Sequence, residues 1–151
     1  MKNLLSWEHE SAAYQKGWRH IAGIDEAGRG CLAGPVVAAA FIFLEHSTFP
    51  EGLNDSKKLS RHQRQVFFDI LTSLKNVVWG VGIASVEEID RLNILQATHL
   101  AMNRALENLC PSADFALVDG LPVKTLGLQH LAIVKGDSLS PSIAAASIIA
   151  K

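Results

Sequence analysis

The sequence predicts an α/β fold, a β-sheet flanked by helices, and three observations predict it. Three short apolar runs end on or just before an aspartate: Ile21–Ile24 into Asp25, Phe115–Val118 into Asp119, and Leu131–Val134 into Lys135-Gly136-Asp137. Continuous apolar runs of this length are the pattern of strands buried on both faces. Two further stretches carry apolar residues at steps of three and four, and each opens on a capping box, Ser60 with Gln63 and Ser85 with Glu88.

Taken in order, residues 1–19 read as a peripheral segment and residues 20–151 as one domain. His20–Asp25 reads as a strand, followed by a glycine-rich turn and a second strand over Val36–Leu44, in which alanines 38 to 40 weaken the β pattern. Residues 45–59 form a loop. The helix that Ser60 opens presents Val66, Phe67, Ile70, Leu71 and Leu74 as its apolar face. Val77–Ile83 gives a third strand. From Ser85 one long helix is expected, with Leu92, Leu95, His99, Met102, Leu106 and Leu109 in its stripe and Pro111 ending it. His99, lying inside this stripe, reads as a core histidine. The strands leading to Asp119 and Asp137 follow, and Ser140-Pro141 supplies the N-cap and first turn of a last helix. Ile148-Ile149-Ala150-Lys151 has neither the glycine nor the polar turn that closes a helix, so a chain incomplete at its C-terminus is expected.

With 151 residues, 48% of them hydrophobic, the chain can bury a proper core in a single domain. Charged residues make up 19% and the formal net charge is -1, which argues against disorder and against a generally polybasic binder; a nucleic-acid partner would be held by a local patch. The longest apolar stretch, from Val36 to Leu44, is far short of the ~18 residues of a membrane span, and the N-terminus has no signal-peptide core, so a cytoplasmic protein is expected. Cys31 and Cys110 have no metal-type spacing and read as reduced thiols.

In α/β sheets, chemistry gathers outside the carboxyl ends of the strands. If the three aspartate-ended strands are neighbours, Asp25, Glu26, Asp119 and Asp137 crowd together, and the usual remedy for crowded carboxylates is a divalent cation. Each acid alone reads more readily as a cap or turn residue than as a catalytic group. Oxygen-only ligation suits Mg2+ or Mn2+, whereas zinc favours histidine and cysteine, which do not cluster here. Two such ions ~3.5–4 Å apart serve phosphodiester hydrolysis, one activating the attacking water and the other stabilising the departing oxygen.

Two further segments bear on a substrate. Gly28, Gly30 and Gly34 do not have the spacing of a dinucleotide-binding turn; Gly28 and Gly30 either let the backbone approach a sugar-phosphate beside Arg29 or simply serve a tight hairpin. The second segment, Asn54-Asp55-Ser56-Lys57-Lys58 with Arg61 and Arg64 beyond it, reads as a solvated loop or as a phosphate contact. Cations at a helix N-terminus oppose the dipole, which favours the latter for Ser56, Lys57 and Lys58.

The ordered set GIDEAGRG (23–30), LAGPVV (32–37), LNDSKKLS (53–60), LNILQAT (92–98), LVDG (117–120) and KGDSLSPSIAAASIIAK (135–151) resembles bacterial ribonuclease HII from residue 20 to the end. The resemblance implies the ribonuclease H-like fold, a mixed five-stranded sheet flanked by helices, here lacking the C-terminal helical region of the family. It implies hydrolysis of RNA in RNA–DNA hybrids and incision 5′ of ribonucleotides embedded in duplex DNA, leaving 3′-hydroxyl and 5′-phosphate ends. It makes Asp25, Glu26, Asp119 and Asp137 the catalytic, metal-binding acids, for two Mg2+ or Mn2+ ions, and Gly28-Arg29-Gly30 the turn that senses the 2′-hydroxyl. Asn54, Ser56, Lys57, Ser147 and Lys151 match polar positions near the substrate, with Lys58 beside them.

Two departures stand out. Cys31 replaces the family's usual proline, which softens the turn, and the tyrosine that stacks near the junction has no counterpart, the single tyrosine being Tyr14. The expectation is a monomer able to associate through exposed apolar surface. An inactive fragment that binds nucleic acid weakly, or another carboxylate-metal nuclease of the same fold, are the alternatives.

Overall fold

The computed structural model describes residues 5–27 and 34–151. Its elements in chain order are α1 (Glu8–Gln15), β1 (Ile21–Ala27), β2 (Val36–Phe43), α2 (Arg61–Ser73), β3 (Val77–Ala84), α3 (Val86–Leu92), α4 (Ile94–Glu107), β4 (Phe115–Asp119), β5 (His130–Ile133) and α5 (Pro141–Ala150). Among the described residues the strands form one five-stranded sheet in the order β3-β2-β1-β4-β5. The first three are antiparallel neighbours, whereas β4 runs parallel to β1 and β5 parallel to β4. The carboxyl ends of β1, β4 and β5 therefore lie side by side on one edge of the sheet. This is the mixed five-stranded sheet that the resemblance implies.

Side-chain alternation assigns the two faces. Ala22, Ile24, Ala38, Ala40, Ala116 and Val118 pack with Ala97, Ala101 and Ala105 of α4. On the opposite face Ala39 and Phe41 meet Ala144, Ala145 and Ile148 of α5, while Ile21 and Leu117 meet Ile143. Alanines 38 to 40 are fully buried inside β2. Their small side chains let helices approach the sheet from both sides, so packing overrides their weak β preference.

Every residue of α5 is buried, as a helix apolar all round requires. It lies so close to β1 that a Cβ on Gly23 would run into the backbone of Ser142 and Ile143. Glycine is thus needed two residues before Asp25, and the close approach fixes the start of α5 against the strand that carries the acids.

Four expectations change. The strand expected to stop at Asp25 continues to Ala27, because Asp25, Glu26 and Ala27 pair with Ala39, Ala38 and Val37 of the longer β2. Both acids therefore sit inside the strand. The single long helix from Ser85 is two helices, α3 and α4, broken at Asn93, whose φ of 83° lies in the left-handed region. Asparagine tolerates that region, and the Asn93 side chain accepts a hydrogen bond from Gln96 N at 2.9 Å, capping α4.

The expected apolar face of α2 is buried only at Leu71, with Phe67 partly covered; Val66, Ile70 and Leu74 are exposed. Helical period sets which residues share a face, and tertiary packing sets how much of it is covered. Finally, the N-terminal segment read as peripheral carries α1. Its Glu10 is fully buried, accepting hydrogen bonds from Ser140 Oγ at 2.7 Å and Ser142 N at 3.1 Å at the start of α5. Among the described residues no helix is long and apolar enough to cross a membrane.

Candidate metal centre

Asp25 projects from β1 toward the face that carries α5, sharing its parity with Ile21 and Gly23, and Asp119 ends β4. Asp137 comes from a different device. After β5 the chain turns through Lys135, at a left-handed φ of 56°, into the short 3-10 turn Gly136–Ser138. Gly136 is packed on Ile143 so tightly that a Cβ would meet its Cδ1 at 2.6 Å. The turn folds back over α5 and carries Asp137 alongside the other two acids.

One carboxylate oxygen from each of Asp25, Asp119 and Asp137 lies within 4.8 Å of the others. Asp25 and Asp137 are buried and Asp119 half-buried. Few neutralising contacts hold them: Glu26 N donates to Asp25 Oδ1 at 2.8 Å, and Asp137 N donates to Asp119 Oδ1 at 3.3 Å. The electrostatic result is unfavourable for three negative charges. Burial, reinforced by the charges of Asp119, Glu26 and Asp137, pushes the Asp25 carboxyl up to about 9. Burial, with Asp119 and Asp55, lifts Asp137 to about 6, and Lys57 opposes that rise. Buried acids whose charged forms are this disfavoured fit a divalent cation, and an all-oxygen donor set fits Mg2+ or Mn2+.

Glu26 is not part of this tight trio. Adjacent strand residues face opposite ways, so its side chain turns toward α4, where it lines a cavity of about 570 Å3 together with Asp119, Thr98, His99, Met102 and Thr125. His99 is not the core histidine its place in the stripe suggests. It is half-buried on the wall of this cavity, and its Nδ1 shares a 3.2 Å hydrogen bond with Thr125 Oγ1.

The polar segment before α2 packs beside the acids. Lys57 and Lys58 are exposed on the 3-10 turn Ser56–Lys58, while Asn54 is half-buried and its Oδ1 accepts from Asp55 N at 2.9 Å. Ser56 and Ser147 are buried: Ser147 Oγ donates to Ala144 O at 2.8 Å and accepts from Ser56 N at 3.3 Å. Ser147 therefore ties the loop to α5 from inside the protein. Lys151 is exposed and shares with Arg61, Arg64, Phe68 and Ile148 a cleft that none of the three acids lines. Gly28, Arg29, Gly30 and Cys31 lie outside the described residues.

Sequence reasoning missed two buried acids. Asp55 stands within a motif singled out for its lysines, and its position as N-cap of the turn was the available signal. Glu10 sits in a helix of weak amphipathicity, and nothing local marks it.

Comparison with known proteins matches the ribonuclease HII family model over residues 22–151. The chain belongs to the ribonuclease HII family. It is 53% identical to the ribonuclease HII of Acetivibrio thermocellus over 143 residues, covering 95% of this chain and 55% of that protein. With the ribonuclease HII of Cereibacter sphaeroides it shares 56% identity over 146 residues, covering 96% of this chain and 68% of the relative. The chain thus spans between about half and two thirds of the length of these relatives. Among solved structures it is similar to the ribonuclease HII of Archaeoglobus fulgidus determined in complex with PCNA, with a TM-score of 0.69, 30% identity, and coverage of 87% of this chain and 70% of that one. The Mn2+ complex of Bst-RNase HIII shares the fold at a TM-score of 0.72 and 23% identity, over 92% of this chain and 53% of the other.

Proposed function

We propose that this chain carries the catalytic centre of a metal-dependent endoribonuclease that hydrolyses RNA paired with DNA and nicks duplex DNA on the 5′ side of an embedded ribonucleotide. The observation that carries this reading is the convergence of Asp25, Asp119 and Asp137, with ligand oxygens within 4.8 Å, at the carboxyl edge of a ribonuclease H sheet. Membership of the ribonuclease HII family supports the substrate class, and Mn2+ in the Bst-RNase HIII structure supports the choice of a hard divalent cation.

Asp25, Asp119 and Asp137 would hold Mg2+ or Mn2+, with Glu26 next to them on the other side of the strand. When bound, a pair of such ions supplies activation of the attacking water and stabilisation of the departing 3′ oxygen, giving 3′-hydroxyl and 5′-phosphate ends. The protein's own part is placement. Lys57 acts on Asp137 from the loop side, and Lys57, Lys58 and Asn54 of that loop are suited to phosphate oxygens, which position a strand without reading its sequence. Gly28, Arg29 and Gly30 follow directly on β1, and in this reading they meet the 2′-hydroxyl that separates RNA from DNA.

The test is cleavage of a DNA duplex carrying one ribonucleotide, in Mg2+ or Mn2+. The chain is expected to nick at the ribonucleotide, and Asp25→Asn and Asp119→Asn are each expected to lose at least about a hundredfold in rate, in the range seen when a positioned charge is removed from a transition state. Cutting retained by both variants, or equal cutting of an all-DNA duplex, would overturn the reading.

A further inference from the structure

A further carboxylate, besides Glu26, lies beside the trio, and nothing in the proposed chemistry uses it. Asp55 is 4% exposed. Its Oδ1 accepts from Lys57 N at 2.8 Å and Lys58 N at 3.2 Å, and its Oδ2 accepts from Ser138 Oγ at 3.1 Å. One side chain thus spans two turns that are 83 residues apart in sequence. The first turn bears the exposed lysines and the second bears Asp137.

The loop is pinned from other sides too. Ser147 Oγ holds Ser56 N, and Arg64 Nη1 donates to Ser56 O at 3.2 Å and Leu59 O at 3.1 Å. Given those restraints, a cap is all that the turn still needs, and asparagine caps about as well as aspartate. A buried acid next to three others is the costlier choice, since the charges of Asp55 and Asp119 both act unfavourably on Asp137. A neutral amide would satisfy the turn without that repulsion.

We propose that Asp55 is a positioning residue of the cleavage site: its carboxylate locks the Ser56–Lys58 turn to the Gly136–Ser138 turn, and its charge strengthens the field that draws divalent cations to the trio. Lys57 and Asp137 are then held in one register, so a phosphate seated on the lysine is presented to the acids. This inference rests on the metal-dependent reading above and adds to it a residue that need touch neither metal nor substrate.

The test compares the chain with Asp55→Asn by calorimetric titration of Mn2+ alone and by KM and kcat on an RNA–DNA hybrid. The amide keeps the cap and removes the charge together with the acceptor that faces Ser138. Expected are a thermal midpoint within a few degrees of the parent, Mn2+ binding weakened by about three- to tenfold, and a raised KM, as for the loss of one charge at short range in a partly solvated site. Mn2+ affinity and KM both equal to the parent's would overturn the inference, leaving Asp55 a cap. Should Asp55→Asn fail to fold, Ser138→Ala decides: a KM raised by about threefold supports the lock, and an unchanged KM overturns it. A parent chain that takes up no Mn2+ would overturn the metal-centre reading and this inference together, whereas a parent that binds while Asp55→Asn matches it in both Mn2+ affinity and KM sinks the inference alone.

Discussion

Asp25 shows how one buried side chain couples stability to pH. Its carboxyl moves from 3.8 up to about 9 and that of Asp137 to about 6, so in both cases folding favours the protonated acid. An acid raised in the folded state gives stability that is complete below its unfolded value and is lost as pH rises through the folded one. Without divalent ions the chain is therefore expected to lose stability from about pH 4 upward, through 6 for Asp137 and toward 9 for Asp25. Cations replace the bound protons, so added Mg2+ should raise the thermal midpoint more at about pH 8 than at about pH 5, where protons compete. Thermal unfolding with Mg2+ and with a chelator at both values checks this, and Asp25→Asn should flatten the pH dependence. At the same scale, sequence made the acids visible because they end apolar runs. It did not show that Glu26 also lines the cavity on the α4 side, since strand parity separates neighbours only once the strand is known to continue past Asp25.

Among the elements, α5 has the largest role in shaping the site. Its residues fill the space between the sheet, the loop before α2 and the N-terminal helix, and its first turn follows directly on the Asp137 turn. Glu10 closes that first turn from outside. Glu10→Ala removes a buried acceptor from Ser140 Oγ and Ser142 N, and the expected cost is about 2–3 kcal/mol in urea unfolding, with Glu10→Gln falling between. The start of α5 was readable as Ser140-Pro141 because capping is local chemistry. The break at Asn93 was not, because the apolar stripe runs through it at helical spacing, while the φ of 83° is a property of one residue that periodicity does not sample. His99 followed from the same limit: its place in the stripe is right, but a cavity rather than a packed side chain lies opposite it.

For the molecule as a whole, charge is the quantity that tests the proposed substrate binding. A formal net charge of -1 gives no overall attraction to nucleic acid, so the proposed binding is expected to draw on local cations such as those around the Ser56–Lys58 turn and α2. Affinity for an RNA–DNA hybrid, measured in Ca2+ to suppress cleavage, is expected to fall steeply with salt. Replacing Lys57 and Lys58 with alanine should reduce the slope of log affinity against log salt by about 2, one for each phosphate that is no longer neutralised. An unchanged slope would place the strand elsewhere on the surface.

By itself the sequence determined the five strands, where α2, α3 and α5 start, and which acids are available, because apolar runs, capping boxes and strand-end aspartates are written within a few residues of one another. Only the tertiary structure decided that β1, β4 and β5 lie side by side, that Glu26 faces the other way, that most of the α2 stripe is uncovered, and that Glu10 and Asp55 are buried. Those outcomes depend on which distant surfaces meet. A carboxylate such as Asp55 takes its meaning from a hydroxyl 83 residues away, and no local pattern encodes that pairing.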